Sequence, residues 1–189
     1  MDRRIPKTQK AILEAFVELM AEKNFEQITI NEIAERANVN RGTVYLHYTD
    51  KFDLLDQCID IHMMQLFDTC LDSDASRMPS KAAMLRVFEY LEQHAVVYMT
   101  LMNNKGVTSF RSRLMTTILQ GIDEQMDGHI PSLEINKEIT VQFLASAAVG
   151  VVEWWMTNSM PCPAEDVVEQ LWCLLERIQF VPQAAVQKK

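Results

Sequence analysis

An all-α chain of about nine helices is what this sequence predicts, and three observations carry the prediction. Only five glycines and six prolines interrupt its 189 residues. Long stretches between these breakers place apolar side chains three or four residues apart, the spacing of one helix face. The apolar–polar alternation of half-buried strands is missing. With 48% apolar residues the chain can bury a substantial core. The expected organisation is an N-terminal three-helix domain over residues 1–52 and a C-terminal helical domain over residues 53–189. A helix over about residues 50–71 bridges them.

The first helix is expected from about Thr8 to Lys23, with Ile12, Phe16, Leu19 and Met20 facing the core and Phe25 folding back onto it. The second has two N-cap candidates, Thr29 and Asn31, and buries Ile33, Ala34 and Ala37. A tight turn falls at Asn38-Val39. The third helix opens at Asn40, and Val44 and Tyr48, four apart, anchor it. In the bridging helix Thr49 and Asp50 both suit the cap, and Phe52, Leu55, Ile59, Met63, Leu66 and Cys70 recur at helical steps. Asp72 to Pro79 reads as a loop. Helices follow over about Ser80–Glu92, Val96–Asn103, Ser109–Met126, Ile135–Asn158 and Ala164–Phe180. Lys105-Gly106, Gly128, Pro131, Pro161 and Pro163 punctuate them. The tail Gln183 to Lys189 should fray.

Two short helices joined by a tight turn form a helix-turn-helix, whose second helix lies in the DNA major groove. Such a helix needs small or polar residues at its N-terminal end so that the backbone can approach base edges. Arg41-Gly42-Thr43 supplies them. Gly42 costs about 1 kcal/mol of helix propensity relative to Ala, a cost that makes sense where a bulkier residue would hold the helix off DNA. Arg41, Thr43, Tyr45, Leu46 and His47 fall on or beside the exposed face. Arg41 suits bidentate reading of guanine, Thr43, Tyr45 and His47 suit phosphates or base edges, and Lys51 is expected to clamp a phosphate.

The net charge of −8 is unevenly placed. Residues 1–51 hold eight basic and eight acidic side chains; the other 138 hold ten and eighteen. Arg3, Arg4, Lys7 and Lys10 face only Asp2 within the first ten residues, and Glu14, Glu18 and Glu22 form one solvated stripe that can point away from DNA. Local potential, not whole-chain charge, governs phosphate contact.

These residues resemble the TetR family of bacterial transcriptional regulators, whose pattern is roughly T-x-x-x-I-A-x-x-A-G-V-S-x-G-T-x-Y-x-x-F-x-x-K-x-x-L. Thr29, Ile33, Ala34, Ala37, Val39, Gly42, Thr43, Tyr45, Lys51 and Leu54 hold their places. Asn38 replaces the turn glycine, Asn40 the capping serine and Tyr48 the phenylalanine. Phe88-Glu-Tyr-Leu-Glu, Asn104-Lys-Gly and Glu153-Trp-Trp also resemble the effector domain of a subgroup common in Firmicutes. The resemblance implies a homodimer with DNA-binding heads on an effector and dimerisation domain, and places Thr29, Arg41, Thr43, Tyr45, His47 and Lys51 at or near double-stranded DNA.

One head reads only a few base pairs, so a palindromic operator and a dimer are expected. The expected interface uses the last two helices: Ala145, Val149, Val152 and Met156 on one, Leu171, Leu174, Leu175 and Ile178 on the other. The competing reading of these residues is an intramolecular core. Twelve methionines, with Phe88, Tyr98, Met102, Phe110, Leu114 and Trp154, would suit a pocket for a small apolar effector; they would equally fill a core. The expected function is a repressor released by such an effector. A helical interaction protein acting through protein partners is the alternative.

Cys58, Cys70, Cys162 and Cys173 show no zinc spacing and read as free thiols in a reducing cytoplasm. His62 lies four residues after Cys58, but no further ligands accompany the pair, and no metal or other cofactor is expected. No nucleophile–base set or phosphate loop points to an enzyme. The N-terminus is charged from residue 2, without a signal-type apolar run. The apolar stretch Ala147 to Val152, flanked by Ser146 and Glu153, falls short of the about 20 residues a bilayer requires, so no membrane association is expected.

Overall fold

The computed structural model describes residues 7–69, 80–103, 109–126 and 136–177. Among them are nine α-helices, one 3-10 turn and no strand. They are α1 (Lys7–Glu22), the 3-10 turn (Phe25–Gln27), α2 (Ile30–Arg36), α3 (Arg41–Tyr45), α4 (Lys51–Asp68), α5 (Lys81–Gln93), α6 (Ala95–Asn103), α7 (Ser109–Met126), α8 (Lys137–Thr157) and α9 (Ala164–Arg177). The expectations for Arg3, Arg4, Cys70, the loop to Pro79, Asn104-Lys-Gly, Gly128, Pro131, Ile178 and the tail lie outside the described residues.

By its contacts the chain divides into two units, Met1–Met64 with Ala95–Thr116, and Gln65–His94 with Thr117–Lys189. Helix α4 as far as Met64 falls in the first unit with α1, α2 and α3. What joins α4 to that unit is specific. The Tyr98 hydroxyl on α6 donates to the His62 carbonyl at 2.9 Å, and Arg113 on α7 donates to the Asp56 carboxylate at 2.8 Å and also pairs with Asp60. Ile12 and Phe16 of α1, Ile33 of α2, Val44 of α3 and Leu54, Cys58 and Ile59 of α4 are all fully buried in this unit. Burial pushes the Cys58 thiol up to about 12. Among the described residues no group of three metal-ligating side chains gathers.

In the second unit Ser80 caps α5, its hydroxyl accepting from the Ala83 N–H at 3.0 Å, and Asn136 caps α8 through the Ile139 N–H at 3.1 Å. Lys81 pairs with Glu169 across α5 and α9. Phe88 packs on Trp155 with ring centroids 5.3 Å apart. The Trp155 indole N–H donates to the Cys162 carbonyl at 2.8 Å, which pins the turn between α8 and α9. In that turn Ser159 and Met160 both take positive φ, 58° and 52°.

Helix α8 corrects two expectations. Ala145, Val149, Val152 and Met156 are buried within the chain itself, which removes them from the reach of a partner copy. The opposite stripe, Ile139, Phe143, Ala147, Gly150 and Trp154, is exposed, and Phe143 (62%) and Trp154 (51%) show that large apolar groups stand on it. On α9 Leu174 is exposed, while Leu171 and Leu175 are half-buried. Apolar on both faces, α8 is by length and composition long and apolar enough to cross a membrane. Its inward face accounts for part of that character, as in the core helix of a soluble protein.

Candidate nucleic-acid interface

The entry to α2 is built by a capping box. The Thr29 hydroxyl accepts from the Glu32 N–H at 3.3 Å, while the Glu32 carboxylate accepts from the Thr29 N–H and hydroxyl, both at 2.9 Å. Of the two candidates, Thr29 is therefore the cap. The helix stops at Ala37. Asn38 adopts φ 53°, and the Val39 N–H returns to the Ala34 carbonyl at 2.9 Å while the Asn38 N–H returns to Glu35 at 3.1 Å. This is a Schellman closure with asparagine in the left-handed position normally held by glycine. It turns the chain within three residues.

Asn40 then stands at the start of α3 in extended conformation, and its carbonyl accepts from the Thr43 N–H at 2.8 Å. Its side chain makes no cap hydrogen bond, contrary to the expectation that it would cap as serine does. Helix α3 is short. Val44 is buried, and Tyr48 just beyond it is buried too, its hydroxyl pushed up to about 12 chiefly by desolvation. These two hold the helix down, as their spacing predicts.

The remaining face stands clear. Arg41, Gly42, Tyr45 and Leu46 are exposed, and Thr43 and His47 half-buried. Leu46, at 81% exposure, makes almost no use of its apolar surface within the chain. Arg41 donates to the Tyr45 hydroxyl at 3.2 Å and lies 5.4 Å from that ring's centroid, so the guanidinium is steadied before any ligand arrives. A Cβ built on Gly42 would meet nothing within 4 Å, and Gly42 is not in a positive-φ conformation. Nothing inside the chain requires a glycine there.

Two basic side chains of the first unit are already engaged within the chain. Lys51, expected to meet a phosphate, donates to the carbonyls of Glu26, Ile28 and Phe25 at 2.8, 3.1 and 3.2 Å. Arg36 in the last turn of α2 reaches Glu22 at 2.8 Å and Glu18 at 3.4 Å, so part of the acidic stripe on α1 is paired rather than merely solvated. The Glu22 carboxyl is lowered, first by its hydrogen bond from Arg36. At the start of α4, Asp50 is the cap of the two proposed, its carboxylate accepting from the Phe52 and Asp53 N–H groups at 2.8 and 2.9 Å.

The residues expected around an effector divide between the two units. Tyr98 and Phe110 are fully buried in the first unit and pack together at 5.9 Å. Side chains so enclosed border no space that water can enter. Leu114 is buried and Met102 half-buried in the same unit. Phe88 is buried in the second unit, and Trp154 is exposed. An open cleft of about 560 Å³ in the first unit is lined instead by the end of α1, by Asn24 and Gln27, and by Met99, Thr100 and Asn103 of α6.

Residues 12–58 match the family described as bacterial regulatory proteins, tetR family, and residues 80–177, more than half of the chain, match its transcriptional regulator C-terminal region. The chain belongs to the TetR family. Similar proteins agree with this. An uncharacterised helix-turn-helix regulator of Bacillus subtilis, YxbF, is 23% identical over 183 residues, covering 93% of this chain but only 47% of its own length. The chain thus spans about half of that relative. The fatty acid metabolism regulator protein of the same organism is 25% identical over 84% of this chain and 86% of its own. Among solved structures, NalD of Pseudomonas aeruginosa, described as the secondary repressor of the MexAB-OprM multidrug efflux pump, superposes with a TM-score of 0.70 at 21% identity, covering 90% of this chain and 94% of its own. The family is one of transcriptional regulators rather than enzymes, and α2 and α3 lie within the matched helix-turn-helix region.

Proposed function

We propose that this regulator is a dimeric repressor that reads a palindromic duplex operator in the cytoplasm with α3 in the major groove. One observation carries the reading. Gly42 is bare, needed neither for backbone conformation nor for internal packing, and sits beside an exposed arginine already steadied by Tyr45. A surface of this kind suits close approach of a helix backbone to base edges. Arg41 reads guanine; Thr43, Tyr45 and His47 meet bases or phosphates; Leu46 offers an apolar contact of the kind a thymine methyl accepts. Thr29, exposed at the entry to α2, is assigned a further contact to the duplex.

Dimerisation uses the exposed stripe of α8, with Leu174 of α9 as a further exposed apolar group. The ligand class we assign to an effector is a small apolar molecule. Similar proteins are named for fatty acid metabolism and for a multidrug efflux pump, and the twelve methionines of the chain are flexible apolar side chains of the kind that adapt to such ligands.

The test is selection of bound duplexes from a random pool. A two-fold symmetric site should emerge, with affinity falling steeply as salt rises. Replacing Arg41 by Ala should relax the preference at one position per half-site by about 1–3 kcal/mol. A pool that yields no enriched duplex overturns the reading and favours a protein partner.

A further inference from the structure

The geometry points to a part for Lys51 other than the phosphate contact its position suggested: we propose that it is a positioning residue, whose ammonium fastens the 3-10 turn to the start of α4 and so sets the stance of α2 and α3 against the duplex. The inference rests on the reading of α3 as the recognition helix. An ammonium has three N–H donors and no more. Here the Nζ atom has three carbonyl acceptors, of Glu26, Ile28 and Phe25, at 2.8, 3.1 and 3.2 Å. Above it lie the Phe25 ring, 4.8 Å to the centroid, and the Phe52 ring at 5.7 Å, the two rings meeting edge to face at 5.3 Å. To reach a phosphate the nitrogen would have to surrender those acceptors. Two of the three bonds, to Phe25 and Ile28, are part-buried, where a lost donor is not simply replaced by water.

The gain from this arrangement is geometric. The carbonyls belong to three of the four residues that lead directly into Thr29, the cap of α2. Phe25 is itself wedged against Phe16 of α1 at 6.1 Å. One side chain at the head of α4 therefore holds the α1–α2 junction. Arginine is a poor substitute, because its planar fork spreads its donors instead of converging them on one point. A phosphate contact, by contrast, would tolerate arginine well.

Operator binding of wild type, Lys51→Met and Lys51→Arg, titrated over a range of salt, separates the two roles. Both variants should bind about tenfold more weakly, with the wild-type slope of log K against log salt. A slope shallower by about 0.9 in Lys51→Met, the signature of one lost phosphate contact, or wild-type affinity in Lys51→Arg, overturns the proposal. In the free full-length protein the Lys51 ammonium should exchange its protons with water more slowly than that of exposed Lys10, and should stay in place when duplex is added; exchange as fast as that of Lys10 overturns it too. If the wild type selects no duplex at all, the recognition-helix reading fails, while proton exchange still decides where the Lys51 nitrogen is held.

Discussion

At the entry to α2 the Glu32 carboxylate serves three donors: the Lys23 ammonium, the Thr29 N–H and the Thr29 hydroxyl. Together they lower its carboxyl to about 2, the Lys23 hydrogen bond first among the causes. The native state thus holds fewer protons on this group than the unfolded chain, whose glutamates titrate near about 4.3. The associated stabilisation is present above that value and is lost as pH falls through about 2. Urea midpoints followed from pH 5 downward should therefore decline less steeply in Glu32→Gln than in wild type; parallel declines would show that the carboxylate is not specially held. Thr29→Ala, which removes the other half of the box, should cost about 1 kcal/mol at neutral pH. Thr29 is legible in the sequence as one of two cap candidates, and its pairing with Glu32 is what decides between them in the structure. The bonding of Lys51 is not legible, because its acceptors lie 23 to 26 residues upstream and are main-chain atoms that any sequence possesses.

At the scale of the helix, α3 trades stability for access. Alanine at position 42 has room, with nothing within 4 Å of its Cβ. Gly42→Ala should raise the thermal midpoint, by up to about 1 kcal/mol of stability, and at the same time weaken operator binding by about tenfold or more. Calorimetry beside a binding titration checks this; unchanged affinity would mean that α3 does not approach base edges at this point. The phase of α8 marks where sequence reading stops. Ala145, Val149, Val152 and Met156 keep helical register, and so do Ile139, Phe143, Ala147, Gly150 and Trp154. Periodicity identifies a helix, but with two apolar stripes it cannot say which one the rest of the chain covers. The cap at Ser80 is legible for the opposite reason, since a cap depends on neighbours alone, whereas Asn136 falls inside the helix expected from about Ile135 and proves to be its cap.

For the whole molecule, the two stripes of α8 predict opposite phenotypes. Phe143→Glu and Trp154→Glu place a charge on a surface already open to water, so the monomer should fold and sediment as a single chain, with operator affinity lost because one head cannot span two half-sites. Val149→Glu puts an uncompensated charge at a buried position and should unfold the second unit, at a cost of several kcal/mol. Circular dichroism with analytical ultracentrifugation distinguishes these outcomes; a Phe143→Glu protein that still pairs would move the interface elsewhere. The charge division follows the same logic, since all of the net −8 lies beyond residue 51 and leaves the head electrically balanced.

The outward stripe of α8 carries a consequence for the cell that makes this chain. On the proposed pairing through this stripe, each newly finished copy displays, until a twin arrives, a greasy flank of the sort that chaperones and proteases are built to seize. Abundance and survival are then linked: copies made sparsely meet a degradation machine before they meet each other, and copies made in a burst protect one another. A chain that pairs in this way should have a threshold of synthesis below which it scarcely persists.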